Sequence, residues 1–144
     1  MNKKIQAYLL QLPPSFCPSE ERLESFLQLL PKENRYVFEF RNKEAYSGKI
    51  PDLLERQGIG FCIHDLPGQE SPILVTSPMV YLRFHGFQGL YSGSYPEEIL
   101  AEWAERLIKW EEEDREVLVY FNNDIGGHAV KNALTLRRLI AGAI

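Results

Sequence analysis

Apolar runs of strand length punctuate this chain, and stretches of helical spacing separate them. The strand-like runs are Ile5–Leu12, Arg35–Arg41, Ile59–Asp65, Val80–Gly86 and Glu116–Asn123. Between the first two, Leu23, Phe26, Leu27 and Leu30 recur at the spacing of one helix face. Ser19 is placed to cap that helix, Glu20 and Glu21 suit its positive end, and Pro31 helps to end it. A shorter helix is predicted near Ile50–Gln57, stopped by Gly58. A polar loop over Pro67–Ser77 then leads to the fourth strand.

Ser94, Pro96 and Glu97 carry the clearest start signal, a capping box with Ser94 at the cap. Ile99, Leu100, Trp103, Leu107 and Trp110 form the apolar stripe of the next helix, expected to pack on the sheet. Glu111–Asp114 makes a solvated acidic end. The last strand enters a helix over Gly127–Ala141 through Asp124-Ile125-Gly126-Gly127.

Alternating strands and helices imply a parallel sheet. Strand parity narrows the architecture further. Glu39 and Arg41 are two apart and share a face, as do Arg83 and His85. Phe38 and Phe40, or Leu82 and Phe84, face the other way. A central strand of an open doubly wound sheet is apolar on both faces, whereas charges on one parity suit a barrel interior. The 144 residues are too few for a closed eight-fold barrel, which needs about 250. The expectation is an α/β fold, a single domain over 1–144: a partial TIM-type barrel of about five parallel strands and four helices.

Composition adds exclusions. The chain is 44% hydrophobic and 25% charged, ordinary for a globular protein, and its net charge of −4 gives no bulk attraction for nucleic acid. No run approaches the roughly 18 apolar residues of a membrane span, so no membrane partner is expected. Met1–Lys4 looks like a signal n-region, but Gln6, Gln11 and Pro13-Pro14 break up the apolar run after it. A cytoplasmic location is therefore expected. Cys62, inside an apolar strand, reads as a buried reduced thiol.

Four motifs carry a family resemblance. Gln11–Phe16, Phe38–Arg41, Tyr81–Gly86 and Tyr120–Asp124, with Ala129, Asn132 and Ala133 beyond them, resemble the YecE-like family, domain of unknown function number seventy-two. They occur in the family's order and cover nearly the whole chain. The resemblance implies a TIM-type barrel distantly similar to sugar isomerases and the endonuclease IV group, with no agreed activity. It starts near the family's fourth strand, so the chain is expected to match the last five strand–helix units only. Where the family has a Trp after its Glu-x-Arg motif, this chain offers Tyr46.

Polar residues gather at the strand ends, where parallel sheets bind ligands. Glu39, as a carboxylate base, Arg41, as its electrostatic partner, and His85 are the candidate catalytic residues. Arg83, Gly86, Asp65, Asn122, Asn123 and Asp124 are the candidate ligand-binding residues. Gly86, Gly89, Gly93, Gly126 and Gly127 offer backbone amides for an anion, and the last two lie at a helix start. Of the adjacent asparagines, one is expected to face the ligand and the other to tie down a loop. Asp124 is also placed to cap the last helix, and Tyr91 and Tyr95 either stack on a ligand or anchor the loop. Glu39, His64, Asp65, His85 and Asp124 are acceptable metal ligands by type, but no compact spacing supports a metal. The sequence assigns neither metal nor cofactor.

Three functions remain open at this level. The first is binding or transformation of a phosphorylated or sugar-like small molecule. The second, by analogy with endonuclease IV, is nucleic-acid phosphodiester binding or cleavage; the third is an inactive partial domain. Five strands also leave two unpaired edges, so self-association into a homo-oligomer, or docking of a partner chain that completes the barrel, is expected.

Overall fold

Local sequence signals set most element boundaries in the computed structural model, which describes residues 5–142. In chain order the elements are strand β1 (Tyr8–Leu12), helix α1 (Glu20–Gln28), strand β2 (Tyr36–Phe40), a short 3-10 turn (Lys43–Tyr46) and helix α2 (Lys49–Gln57). Strands β3 (Gly60–Leu66), β4 (Gln69–Glu70) and β5 (Met79–Phe84) come next. Helix α3 (Glu97–Glu112), strand β6 (Glu116–Phe121) and helix α4 (His128–Gly142) complete the chain.

Five parallel strands alternate with four helices, the arrangement of a partial TIM-type barrel. The sheet runs in the order β1-β2-β3-β5-β6, so β1 and β6 are its two end strands. Strand β4 lies off this path and pairs antiparallel with the end of β3, Asp65 opposite Glu70. No signal for that hairpin is present in the polar loop except Pro67-Gly68, whose glycine adopts φ 77°. By contact density the chain resolves into two compact units. The first comprises Met1–Ile63 and Ser71–Tyr81; the second comprises His64–Glu70 and Leu82–Ile144.

In the first unit, β1 and β2 pair in parallel with Tyr8 opposite Tyr36 and Gln11 opposite Glu39. The apolar run from Ile5 becomes strand only at Tyr8, because that is where its neighbour begins to pair. The Tyr8 amide donates to the Arg35 carbonyl at 2.9 Å, and the register runs from there. Ser19 caps α1 as expected, its hydroxyl accepting the Arg22 amide at 3.3 Å. Leu23 and Leu27 of α1 are buried, and the Phe26 ring meets Phe38 edge-on at 6.3 Å. Phe38 therefore lies under a helix, as the parity argument predicts. Phe40 stacks on Phe61, while Leu53 and Leu54 of α2 are fully buried. Gly58 stops α2 in the left-handed conformation, φ 64°.

In the second unit, Leu82 and Phe84 of β5 are fully buried, together with Leu100 and Leu107 of α3. Burial of each such side chain stabilises by about 1.5–3 kcal/mol. Phe84 stacks on Phe121 with ring centroids 4.7 Å apart and meets Trp103 edge-on at 5.4 Å. The tryptophan stripe is thus packing, not a ligand platform. The predicted capping box does not form. Helix α3 begins at Glu97 with Pro96 at the cap and no side-chain bond to it. Ser94 stands too far upstream, and its hydroxyl instead accepts from the Asn132 amide at 3.1 Å. Among the described residues no helix is long and apolar enough to cross a membrane.

Candidate functional site

The polar strand-end residues form two clusters, one in each compact unit. The first is built on β2. All five of its residues are buried, and Glu39 has no exposed surface. Just past the strand, Arg41 is 9% exposed and its Nε donates to Glu39 Oε1 in a buried ion pair. Gln11 and Cys62 join from the strands on either side. Arg41 Nη2 approaches Gln11 Oε1 at 3.5 Å, and the Cys62 thiol lies 3.6 Å from Glu39 Oε2. A carboxylate held by a guanidinium and a thiol in a buried layer is an ion-pair arrangement. Tyr46 donates its hydroxyl to the Phe40 carbonyl at 2.9 Å. That bond closes the end of the strand.

The second cluster sits at the carboxyl ends of β3, β5 and β6. Asp65, near the end of β3, accepts the His85 amide on Oδ1 at 2.8 Å and the Tyr95 hydroxyl on Oδ2. The same Tyr95 hydroxyl accepts the Gly86 amide at 2.9 Å. One carboxylate and one phenol therefore hold both residues at which β5 turns into its loop. His85 is fully buried, its ring 5.9 Å from that of His64 and nearly perpendicular to it. Tyr95, one of two tyrosines expected to stack or anchor, is an anchor, only 4% exposed. Tyr91 is the exposed one, with φ 59° and its ring 6.0 Å from His85.

The loop is held from its far side by a residue that motif reasoning passed over except as part of the family pattern. Asn132 Oδ1 accepts both the Tyr95 amide, at 3.2 Å, and the Asn123 side-chain amide, at 2.8 Å. Its own Nδ2 donates to Ser94 Oγ and to the Tyr95 carbonyl. The available signal was a polar residue on the buried face of α4, between Ala129 and Leu136. A buried amide so placed needs partners, and the loop supplies them.

The two adjacent asparagines lie just past the end of β6, where the sequence predicts strand to Asn123, and they take different partners. Asn123 is fully buried and donates to the Gly93 carbonyl at 2.8 Å, tying down the loop backbone. Asn122 accepts Arg83 Nε on its Oδ1 at 3.1 Å, and both residues are only partly buried. Asp124 is exposed, and its backbone carbonyl takes the Gly127 amide at 2.8 Å. The glycine amides expected to meet an anion are thus engaged internally at Gly86 and Gly127. Among the described residues no three His, Cys, Asp or Glu side chains converge closely enough to hold a metal ion.

The family model described as protein of unknown function DUF72 matches residues 1–143. This chain belongs to the DUF72 family. It is similar to the crystal structure of a DUF72 family protein from Enterococcus faecalis V583, with a TM-score of 0.84 and 25% identity over 96% of this chain. A DUF72 family protein from Thermotoga maritima MSB8 superposes with a TM-score of 0.79 and 30% identity over 92% of it. The chain spans 60% and 56% of the lengths of those two proteins. No curated protein matches it.

Electrostatics single out one group of this DUF72 chain. Desolvation pushes the Asp65 carboxyl up to about 6, outweighing the hydrogen bonds from Tyr95 and His85 that favour its ionised form. Tyr95 is raised by burial and by the carboxylate beside it. The native chain therefore binds a proton at Asp65 more tightly than the unfolded chain, whose value is 3.8. Stability is expected to fall as pH rises from about 4 to 6, by about 2–3 kcal/mol from this group. Urea unfolding across that range should show the slope in the parent, and Asp65→Asn should remove most of it.

Proposed function

We propose that this chain binds a small anionic or sugar-like ligand at the carboxyl ends of β5 and β6, with Arg83 as the group that meets the anion. The Arg83–Asn122 contact carries this reading. A partly exposed guanidinium is oriented by an amide at 3.1 Å, on the strand ends where parallel α/β sheets gather ligands. Around it Asp65, Gly86, Tyr95, Asn123 and Asn132 hold the loop after β5, so the pair sits on a rigid support. Asp124, exposed in the neighbouring loop, extends the polar surface.

Binding is favoured over turnover. Glu39 and His85, the acid–base candidates, have no exposed surface, and Glu39 is ion-paired with Arg41. A general base must reach the proton that it takes, which this burial opposes. On this reading Glu39 and Arg41 serve the interior charge layer, and His85 shapes the wall beneath the loop.

Thermal shift with inorganic phosphate, a hexose phosphate and the unphosphorylated hexose tests the proposal, since a ligand of the native state raises stability by mass action. A phosphorylated probe is expected to raise Tm, and Arg83→Ala to weaken its binding by about 10–100-fold, the worth of a charge-assisted hydrogen bond. A response to the free hexose alone would transfer the reading from anion to sugar. No response to any probe, or full binding by Arg83→Ala, would refute it.

A further inference from the structure

Tyr91 is held in a backbone conformation that tyrosine rarely adopts, and its side chain is nevertheless 41% exposed. Its φ of 59° lies in the left-handed region, where a bulky residue is strained. The loop after β5 has glycine at its other such positions, Gly86 and Gly93, with φ 137° and 81°. At Tyr91 it keeps a large ring instead, and full burial of that ring does not offset the strain. Strain retained at an exposed side chain points to a role outside the fold's own packing.

Hydrogen bonds fix Tyr91 from both sides. Its amide donates to the His85 carbonyl at 2.6 Å, and its carbonyl accepts the Ile125 amide at 3.2 Å. His85 lies two residues after Arg83, and Ile125 three residues after Asn122. Tyr91 therefore bridges the two loops that follow the Arg83–Asn122 pair, and its ring stands 6.0 Å from that of His85. Phe87 and Leu90 of the same loop are exposed beside it in sequence.

We propose that Tyr91 is a stacking platform, and that the ligand at Arg83 and Asn122 is a phosphate monoester carrying a flat aromatic ring, of the nucleoside monophosphate class. This rests on the anion reading of the same site and adds the chemistry of the rest of the ligand. Arg83 meets the phosphate, and the exposed Tyr91 ring takes the face of the base, a contact open to any base because each has a π-face. Phe87 and Leu90 make the loop apolar around the platform, which suits a flat base better than the hydroxyls of a hexose. Asp124, exposed between Asn122 and Ile125, is an acceptor for a ribose hydroxyl or an exocyclic amine. The net charge of −4 favours one nucleotide over a nucleic-acid strand.

Calorimetric titration of the full chain with adenosine monophosphate, ribose 5-phosphate and adenosine tests this. The nucleotide is expected to bind about 5–100-fold more tightly than ribose 5-phosphate, the worth of one stacked base. Tyr91→Asn should remove that difference and Tyr91→Phe should keep it. Asparagine tolerates positive φ, so the first variant should unfold at a temperature close to the parent's. In the parent, the adenine proton resonances should move upfield on binding, a measurement that needs no variant. Equal affinities for the nucleotide and ribose 5-phosphate, undiminished binding by Tyr91→Asn, or unmoved adenine resonances would overturn the platform and leave the anion reading standing. Adenosine bound as tightly as its monophosphate, or no binding by any probe, would remove the anion reading and this proposal with it. A hexose phosphate bound more tightly than the nucleotide overturns the proposal in favour of a sugar, and a single-stranded oligonucleotide bound more tightly overturns it in favour of nucleic acid.

Discussion

Arg41→Ala is expected to cost about 3–5 kcal/mol of folding stability, because it strands a carboxylate in the interior. Glu39 has no exposed surface, and its carboxyl meets the Arg41 guanidinium on one oxygen and the Cys62 thiol on the other. A thiol is a weak donor and cannot replace a guanidinium. Removal of Arg41 takes the guanidinium from a fully buried carboxyl, which must then stay ionised without it or bind a proton at an energetic cost. A loss of that size is a large share of a typical domain's total stability. The double variant Glu39→Gln, Arg41→Met should recover most of it, since it removes both charges and keeps the volume. Urea unfolding of the three proteins measures all of this. A single-variant loss below about 1 kcal/mol would mark the pair as effectively solvated.

Gly86→Ala is expected to be nearly as damaging, for a purely steric reason. Gly86 adopts φ 137°, where side chains are strained, and a Cβ there would lie 2.2 Å from the Gly89 carbonyl oxygen. The Ser92 carbonyl oxygen and amide nitrogen stand at 2.6 and 2.8 Å. These are backbone atoms, so no side chain can swing aside. Strain and overpacking each cost about 1–3 kcal/mol, which together predict a loss of about 3 kcal/mol or more. The change should also loosen the loop, because the Gly86 amide is bonded to Tyr95 and the Tyr91 amide to the His85 carbonyl. Hydrogen exchange should report faster exchange at Tyr91 and Ser92, with little change in α2. An Ala variant as stable as the parent would mean that the loop re-forms around the added methyl group.

Much of the candidate site was visible in parity. Glu39 and Arg41 are two apart at the end of β2, which the sequence read as one face, and they do pair. Asn122 and Asn123 take different partners, Arg83 and the loop backbone at Gly93, but they do so past the end of β6. Hydrogen-bond partners were not visible, since they come from far along the chain. Asp65 meets Tyr95 thirty residues later, and Tyr95 meets Asn132 thirty-seven residues beyond that. Motif reasoning expected the Gly86 and Gly127 amides to face an anion; the fold engages one with a phenol and the other with the Asp124 carbonyl.

The amino-acid pattern by itself determined the order of the five parallel strands and four helices, the stop of α2 at Gly58 and the cap of α1 at Ser19. Those features depend on residues within a turn or two of each other, where periods of 2 and 3.6 and local caps hold all the information. Tertiary structure alone decided the rest. It gave Ser94 to Asn132 instead of to α3, folded β4 back on β3, and made Asp65 the anchor of a loop through Tyr95. In each case a polar group could satisfy itself locally or at a distance. Burial selected the distant partner, because an unpaired polar group costs more in the interior than a local cap returns at the surface.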